Sequence, residues 1–151
     1  MIEIRRVRPE EAEAITEIAL AAKRHWGYPE RWMQLWAPEL TFSPEYFEAN
    51  ESWAALADGK PIGFYTLQVR DGQAWLGDLF VKPAYMGRGV GRALWSHALD
   101  EARQRGFRLL RFESDPNAVG FYEKMRAHQV GERRSEVDGQ PRVLPVLEIE
   151  L

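Results

Sequence analysis

Two hydrophobic periods alternate along this chain. IEIRRV (Ile2–Val7) alternates apolar and polar positions, the period of a half-buried strand. Pro9, Glu10 and Glu11 then make a helix start, and Ile15, Ile18, Ala19 and Ala22 share one helical face. Between His25 and Asn50 the pattern loosens. HWGYPERWMQLW carries Trp26, Tyr28, Trp32 and Trp36, and Pro38 and Pro44 follow, which predicts one or two short helices joined by loops. SWAALA, IGFYTLQV and AWLGDLFV read as strands separated by DGKP and Asp71-Gly72, a three-strand meander. Val90, Leu94, Ala98 and Ala102 mark a helix ending near Gly106. RLLRFES (Arg108–Ser114) is the next strand, and AVGFYEKM (Ala118–Met125) is a short helix that Asn117 would cap. HQVGERRS and RVLPVLEIEL close the chain as two strands around Asp138-Gly139. The order β-α-α-β-β-β-α-β-α-β-β predicts an α/β protein, a mixed sheet of about seven strands flanked by about four helices. One domain is expected over residues 1–151.

Composition narrows the function classes. The 20 Lys and Arg against 23 Asp and Glu give a net charge of −3, which argues against a nucleic-acid partner. The chain has no cysteine, so disulfides, thiolate metal sites and a cysteine nucleophile are excluded. No apolar run approaches the ~18 residues of a membrane span, and MIEIRRVRPEE lacks the apolar core of a signal peptide. The expectation is a cytoplasmic protein without a membrane association and without a metal.

The stretch VKPAYMGRGVGRAL (Val81–Leu94) places glycines at 87, 89 and 91 between a strand and a long helix. Glycines there can simply make a tight turn. Three of them, ahead of a helix whose first N–H groups are free, also make a site for a phosphate or pyrophosphate. A Walker A loop needs Gly-Lys-Ser/Thr, and here Arg92 and Ala93 follow Gly91. A dinucleotide fingerprint needs a third glycine where Arg92 or Leu94 stands.

These residues resemble the acetyl-coenzyme A (acetyl-CoA) loop of the GNAT superfamily of N-acetyltransferases. Met86-Gly87-Arg88-Gly89-Val90-Gly91 stands where that family has Gln/Arg-x-x-Gly-x-Gly/Ala, and DPNAVGFYEKM resembles its Asn-x-x-Ala-x-x-Phe-Tyr segment. The resemblance covers essentially the whole chain. Met86 departs from the usual Gln or Arg, and Arg126 stands where the family often has a glycine, a position that asks for a positive φ.

The resemblance implies acetyl transfer from acetyl-CoA to an amine. It places the cofactor against Leu79, Phe80 and Val81, the loop residues Met86, Gly87, Arg88, Gly89, Val90, Gly91 and Arg92, and Asn117, Phe121, Tyr122 and Lys124. It puts Tyr122 beside the coenzyme A sulfur as proton donor and a backbone N–H of Leu79–Val81 against the oxyanion. Packing on a short helix is the competing account of Tyr122. The base is open between Asp78, Glu113, His25 and ordered water; Gly77 occupies the position before Asp78. Without a cysteine, direct attack in a ternary complex is the expected route.

Tyr28, Trp32 and Trp36 are spaced four apart, one helical face. Core packing accounts for such a face, and Trp26, Tyr28 and Trp32 are also the candidates for an acceptor wall. The main expectation is a small-molecule amine as acceptor. The alternatives are a protein N-terminus or lysine, and a non-catalytic coenzyme A-binding sensor. A homodimer is left open.

Overall fold

The computed structural model describes residues 2–151. The strands are β1 (Glu3–Arg6), β2 (Ser52–Ala57), β3 (Lys60–Arg70), β4 (Gln73–Val81), β5 (Leu109–Glu113), β6 (His128–Val137) and β7 (Gln140–Glu150). They form one seven-stranded sheet in the order β1-β2-β3-β4-β5-β7-β6. Only β4 and β5 run parallel; the other neighbours are antiparallel. The helices are α1 (Ala12–Arg24), α2 (Glu30–Trp36), α3 (Pro44–Ala49), α4 (Val90–Gln104) and α5 (Val119–Lys124). The mixed sheet is as expected. The loose segment holds two short helices, so three precede β2 and not two.

The hairpin turns follow from local chemistry. Asp58-Gly59, Asp71-Gly72 and Asp138-Gly139 each hold both residues at positive φ, between 50° and 76°. That is the turn geometry whose twist suits antiparallel strands. The helix start after β5 differs from expectation. Asn117 does not cap α5, which has no side-chain cap; Asp115 caps the 3₁₀ turn Pro116–Ala118 ahead of it, its carboxylate accepting from the Asn117 N–H at 2.9 Å. From the position before that turn its carboxylate reaches a free N–H two residues on, which Asn117 cannot do from inside the turn.

Each sheet face carries its own apolar cluster. Ile15 and Ile18 of α1, Met33 of α2 and Phe47 of α3 pack with Ala54, Leu56 and Phe64. On the other face Leu94, Trp95 and Ala98 of α4 and Tyr122 of α5 pack with Tyr65, Leu67, Leu110 and Phe112. Burying each large side chain contributes roughly 1.5–3 kcal/mol.

Two irregularities in β4 make room for a site. First, β4 pairs with β5 only at Ala74–Leu110 and Trp75–Arg111, while its pairing with β3 continues to Gly63–Val81. Beyond Trp75 the two parallel strands part. Second, Gly77 is an extra residue in β4: Leu76 opposes Leu67 and Asp78 opposes Thr66. Ahead of this bulge Ala74 and Leu76 face the α4 cluster; after it Val81 does, and Phe80 packs on the α1 side. The bulge therefore turns Asp78, in phase with Phe80, onto the α1 face. Glycine at 77 leaves Thr66 and Gln68 undisturbed, because a Cβ would sit 2.5 Å from Thr66 Oγ1 and 2.7 Å from Gln68 Nε2 and would force those side chains to move.

Candidate active site

The parting of β4 and β5 opens a cleft of about 760 Å³ through the sheet. Its walls are the β4 residues 77–81 and Glu113–Asp115 at the end of β5. From the α4 side come Met86, Gly87, Gly89, Gly91, Phe121 and Tyr122; from the α1 side come Lys23, Trp26 and Trp36.

The glycine loop runs from a short turn, Pro83–Tyr85, into α4. Gly87 and Gly89 have φ of 76° and 82°, and Gly89 is the left-handed N-cap of α4. A side chain there would be strained. Gly91 has ordinary helical backbone, and a Cβ there would meet the Phe121 ring at 3.4 Å, an ordinary contact, so neither strain nor crowding within the chain demands glycine at 91. The first turn of this 15-residue helix leaves its N–H groups without helical partners and adds the positive end of the dipole. The Met86 N–H is engaged by the Pro83 carbonyl at 3.2 Å, so the loop N–H groups left free are those of the residues after it. Arg92 lines the cleft, Val90 is buried in the core, and the Arg88 guanidinium lies 5.6 Å from the Tyr85 ring. Asn117 lines the cleft, whereas Lys124 is exposed on α5. Arg126 has φ of 74°, the left-handed conformation that its position was expected to need.

Asp78 reaches the cleft from β4, and its Oδ2 accepts from Thr66 Oγ1 at 2.9 Å. Burial pushes its carboxyl pKa up; the Thr66 hydrogen bond and the charges of Arg70 and Lys23 act the other way and are outweighed. Tyr122 approaches from α5, its ring 4.5 Å from Phe112 and 5.3 Å from Trp95. Burial, and then the negative charges of Asp78 and Asp115, hold its phenol pKa above the ordinary value. Tyr122 is thus both a core residue and a cleft residue. Glu113 also lines the cleft, paired with Arg133 Nε at 2.8 Å. His25 is exposed beside Trp26, with ring centroids 5.6 Å apart.

The aromatic segment departs from a single helical face. Pro29 caps α2, which leaves Tyr28 outside it, and Met33 is the residue that α2 buries. Tyr28, Trp32 and Trp36 still cluster, with centroids 4.9–5.9 Å apart. Trp26 and Trp36 line the cleft; Trp32 instead stacks on Tyr28. Tyr28 donates to the Asp115 carboxylate at 2.8 Å.

Around Asp115 lies a group that the sequence did not announce. Lys23 Nζ is 2.6 Å from Asp115 Oδ2, and Asn117 donates to Oδ1 from its side chain at 2.9 Å. Arg142 Nη2, from β7, is 3.2 Å from the Tyr28 oxygen and 3.5 Å from Asp115 Oδ2. Burial raises the Asp115 carboxyl, but the Lys23 contact and the donors around it leave its pKa lowered overall. Lys23 is also lowered, because burial outweighs its pairing with Asp115.

The profile of the acetyltransferase (GNAT) family matches residues 12–126. The peptidyl-lysine N-acetyltransferase YjaB of Salmonella typhimurium is 32% identical, over 99% of this chain and 97% of its own. The Escherichia coli [ribosomal protein bS18]-alanine N-acetyltransferase is 32% identical over 64% of this chain and 68% of its own. Among solved structures, the PaiA N-acetyltransferase of Thermoplasma acidophilum in complex with coenzyme A is similar with a TM-score of 0.76. It is 25% identical, covering 100% of this chain and 99% of that one. With the glycine loop and the Asp115-x-x-Ala118-x-x-Phe121-Tyr122 segment inside the family match over residues 12–126, this chain belongs to the GNAT family and is an acetyltransferase.

Proposed function

We propose that the protein transfers the acetyl group of acetyl-CoA to a primary amine of a protein, a lysine side chain or an N-terminus, in a ternary complex. The observation that carries this reading is the two-sided cleft. Its α4 side has the glycine loop and its α1 side has Asp78, Trp26 and Trp36, so two reactants can enter from opposite faces. The loop residues suit a pyrophosphate: free N–H groups at a helix start, glycines at positive φ, and Arg92 beside them. Acetyl-CoA supplies the activated acyl group. The named relatives that modify protein amines support the acceptor class.

The residues divide the work as follows. A lysine ammonium of pKa ~10.4 is about one part in a thousand neutral or less at pH 7 and needs a base. Asp78 takes that proton, and its raised pKa brings it nearer to the amine's. A backbone N–H of Leu79–Val81, on the strand edge that β5 leaves open, faces the developing oxyanion. Tyr122 holds its proton across the physiological range and donates a hydrogen bond to the departing sulfur. Since a phenol is a weaker acid than a thiol (~10 against ~8.5), the proton moves late if it moves at all.

A small-molecule amine is the second reading, favoured by Trp26 and Trp36 on the cleft wall. The deciding experiment supplies acetyl-CoA with lysine peptides, peptides with a free N-terminus, and small amines. Thiol release and product mass are followed. Transfer to peptides is expected; transfer to small amines alone would overturn the proposal.

A further inference from the structure

We propose that Arg142 and Lys23 recognise a carboxylate that the acceptor carries close to the amine it presents for acetylation. The inference rests on amines being the acceptors at the α1 side of the cleft, and it adds what else such a molecule must have.

The charge balance is the first argument. Lys23, Arg142 and Asp115 side chains are 14%, 10% and 11% exposed, so a guanidinium and an amine share one carboxylate out of water. An uncompensated buried charge is costly and invites a counter-ion. The other carboxylates along the cleft do not close the gap. Glu113 is paired with Arg133, Asp78 accepts from Thr66 and makes no ion pair with Lys23 or Arg142, and Glu39 and Glu136 are exposed at the rim.

The second argument is which donors remain. Asp115 already accepts from Lys23, Tyr28 and both nitrogens of Asn117 at 2.6–2.9 Å. Arg142 is the outermost of its partners at 3.5 Å, through Nη2 alone. Among the described residues, Nε and Nη1 of Arg142 have no hydrogen-bond acceptor, and the residue lines the cleft. The guanidinium lies 5.0 Å from the Tyr28 ring and 4.8 Å from the Trp36 ring. Lys23 Nζ lies 4.7 Å from the same Trp36 ring. The aromatic rings thus hold a planar donor fork whose free edge suits a carboxylate.

The carboxylate has two sources, a free amino acid or an acidic residue beside a target lysine. Calorimetry on the intact protein with coenzyme A bound distinguishes them. One pair of probes is Nε-acetyl-lysine and its C-terminal amide. The other is an acetyl-lysine peptide with Glu or Gln beside that lysine. In at least one pair the carboxylate member should bind on the order of 10- to 100-fold more tightly, and the pair that responds names the source. In Arg142→Gln that ratio should fall toward one. If that variant does not fold, Lys23→Gln reads the same ratio. Equal or undetectable binding within both pairs, or a ratio that survives the substitutions, overturns the proposal. Turnover of the unacetylated probes is measured in parallel, so failure of protein acetylation registers separately from failure of carboxylate recognition.

Discussion

Thr66 donates its hydroxyl hydrogen to Asp78 Oδ2 across 2.9 Å, at the point where Gly77 bulges out of β4. This bond favours the charged carboxylate and opposes the effect of burial. Thr66→Val should therefore raise the Asp78 pKa further. The acidic limb of the kcat/KM profile is expected to move to higher pH by up to about one unit, for a bond worth about 1 kcal/mol. An unmoved limb would show that Thr66 does not act through Asp78.

Asp78→Asn should lower kcat by about 10²–10⁴-fold and remove that limb. It should also change stability with a defined sign. Folding raises the Asp78 pKa, so the native chain keeps a proton that the unfolded chain releases. The stability this lends is complete below the unfolded carboxylate pKa of about 3.9 and is lost as pH rises through the raised value. At pH 8 the buried anion weakens the fold, and Asp78→Asn should raise Tm by about 2–4 °C. Thermal melts at pH 4 and pH 8 check both halves of the expectation.

Tyr122→Phe should lower kcat by about 10²-fold with little change in KM for acetyl-CoA, because its hydroxyl acts only as the sulfur departs. The ring stays, so the contacts to Phe112 and Trp95 stay. Steady-state kinetics and a melting curve on one sample separate the two roles. Unchanged turnover would make Tyr122 a packing residue alone.

Gly91→Asp tests the loop. A Cβ at 91 meets the Phe121 ring at an ordinary 3.4 Å, so the helix should form. The new carboxylate would face the pyrophosphate across the first turn of α4 and weaken acetyl-CoA binding at least 10-fold. Unaltered affinity in the folded variant would count against this loop as the binding site.

Asp115→Asn leaves Lys23 and Arg142 without their shared anion, which should destabilise the protein by about 3 kcal/mol. Denaturant titration reads the loss. A change under 1 kcal/mol would mean that the two cations are better solvated than their exposure indicates.

What could be read from the chain was local. The Asp-Gly turns, the meander they join and the helix after the glycine loop all follow from spacing over a few residues. Gly91 was legible as a loop glycine, but its contact with Phe121 was not, because Phe121 lies 30 positions on. Tyr28 was placed on a helical face by a spacing that Pro29 interrupts. The Asp115 group left no mark in the sequence, since it joins residues 92 and 27 positions away, on α1 and β7. Gly77 read as a missing carboxylate, whereas its meaning is steric: it shifts the phase of β4 and turns Asp78 toward the α1 face.

The two-pair junction between β4 and β5 also sets where the molecule can yield. A sheet fastened at one end of a seam bends about that end, so the strands of the meander and the strands β5–β7 form two leaves. The amides along the open edge of β4 have no strand across from them to guard them from solvent. Hydrogen exchange should be quick along that edge and slow on the β3 side, and a ligand seated in the seam would complete the missing rungs and stiffen both leaves at once.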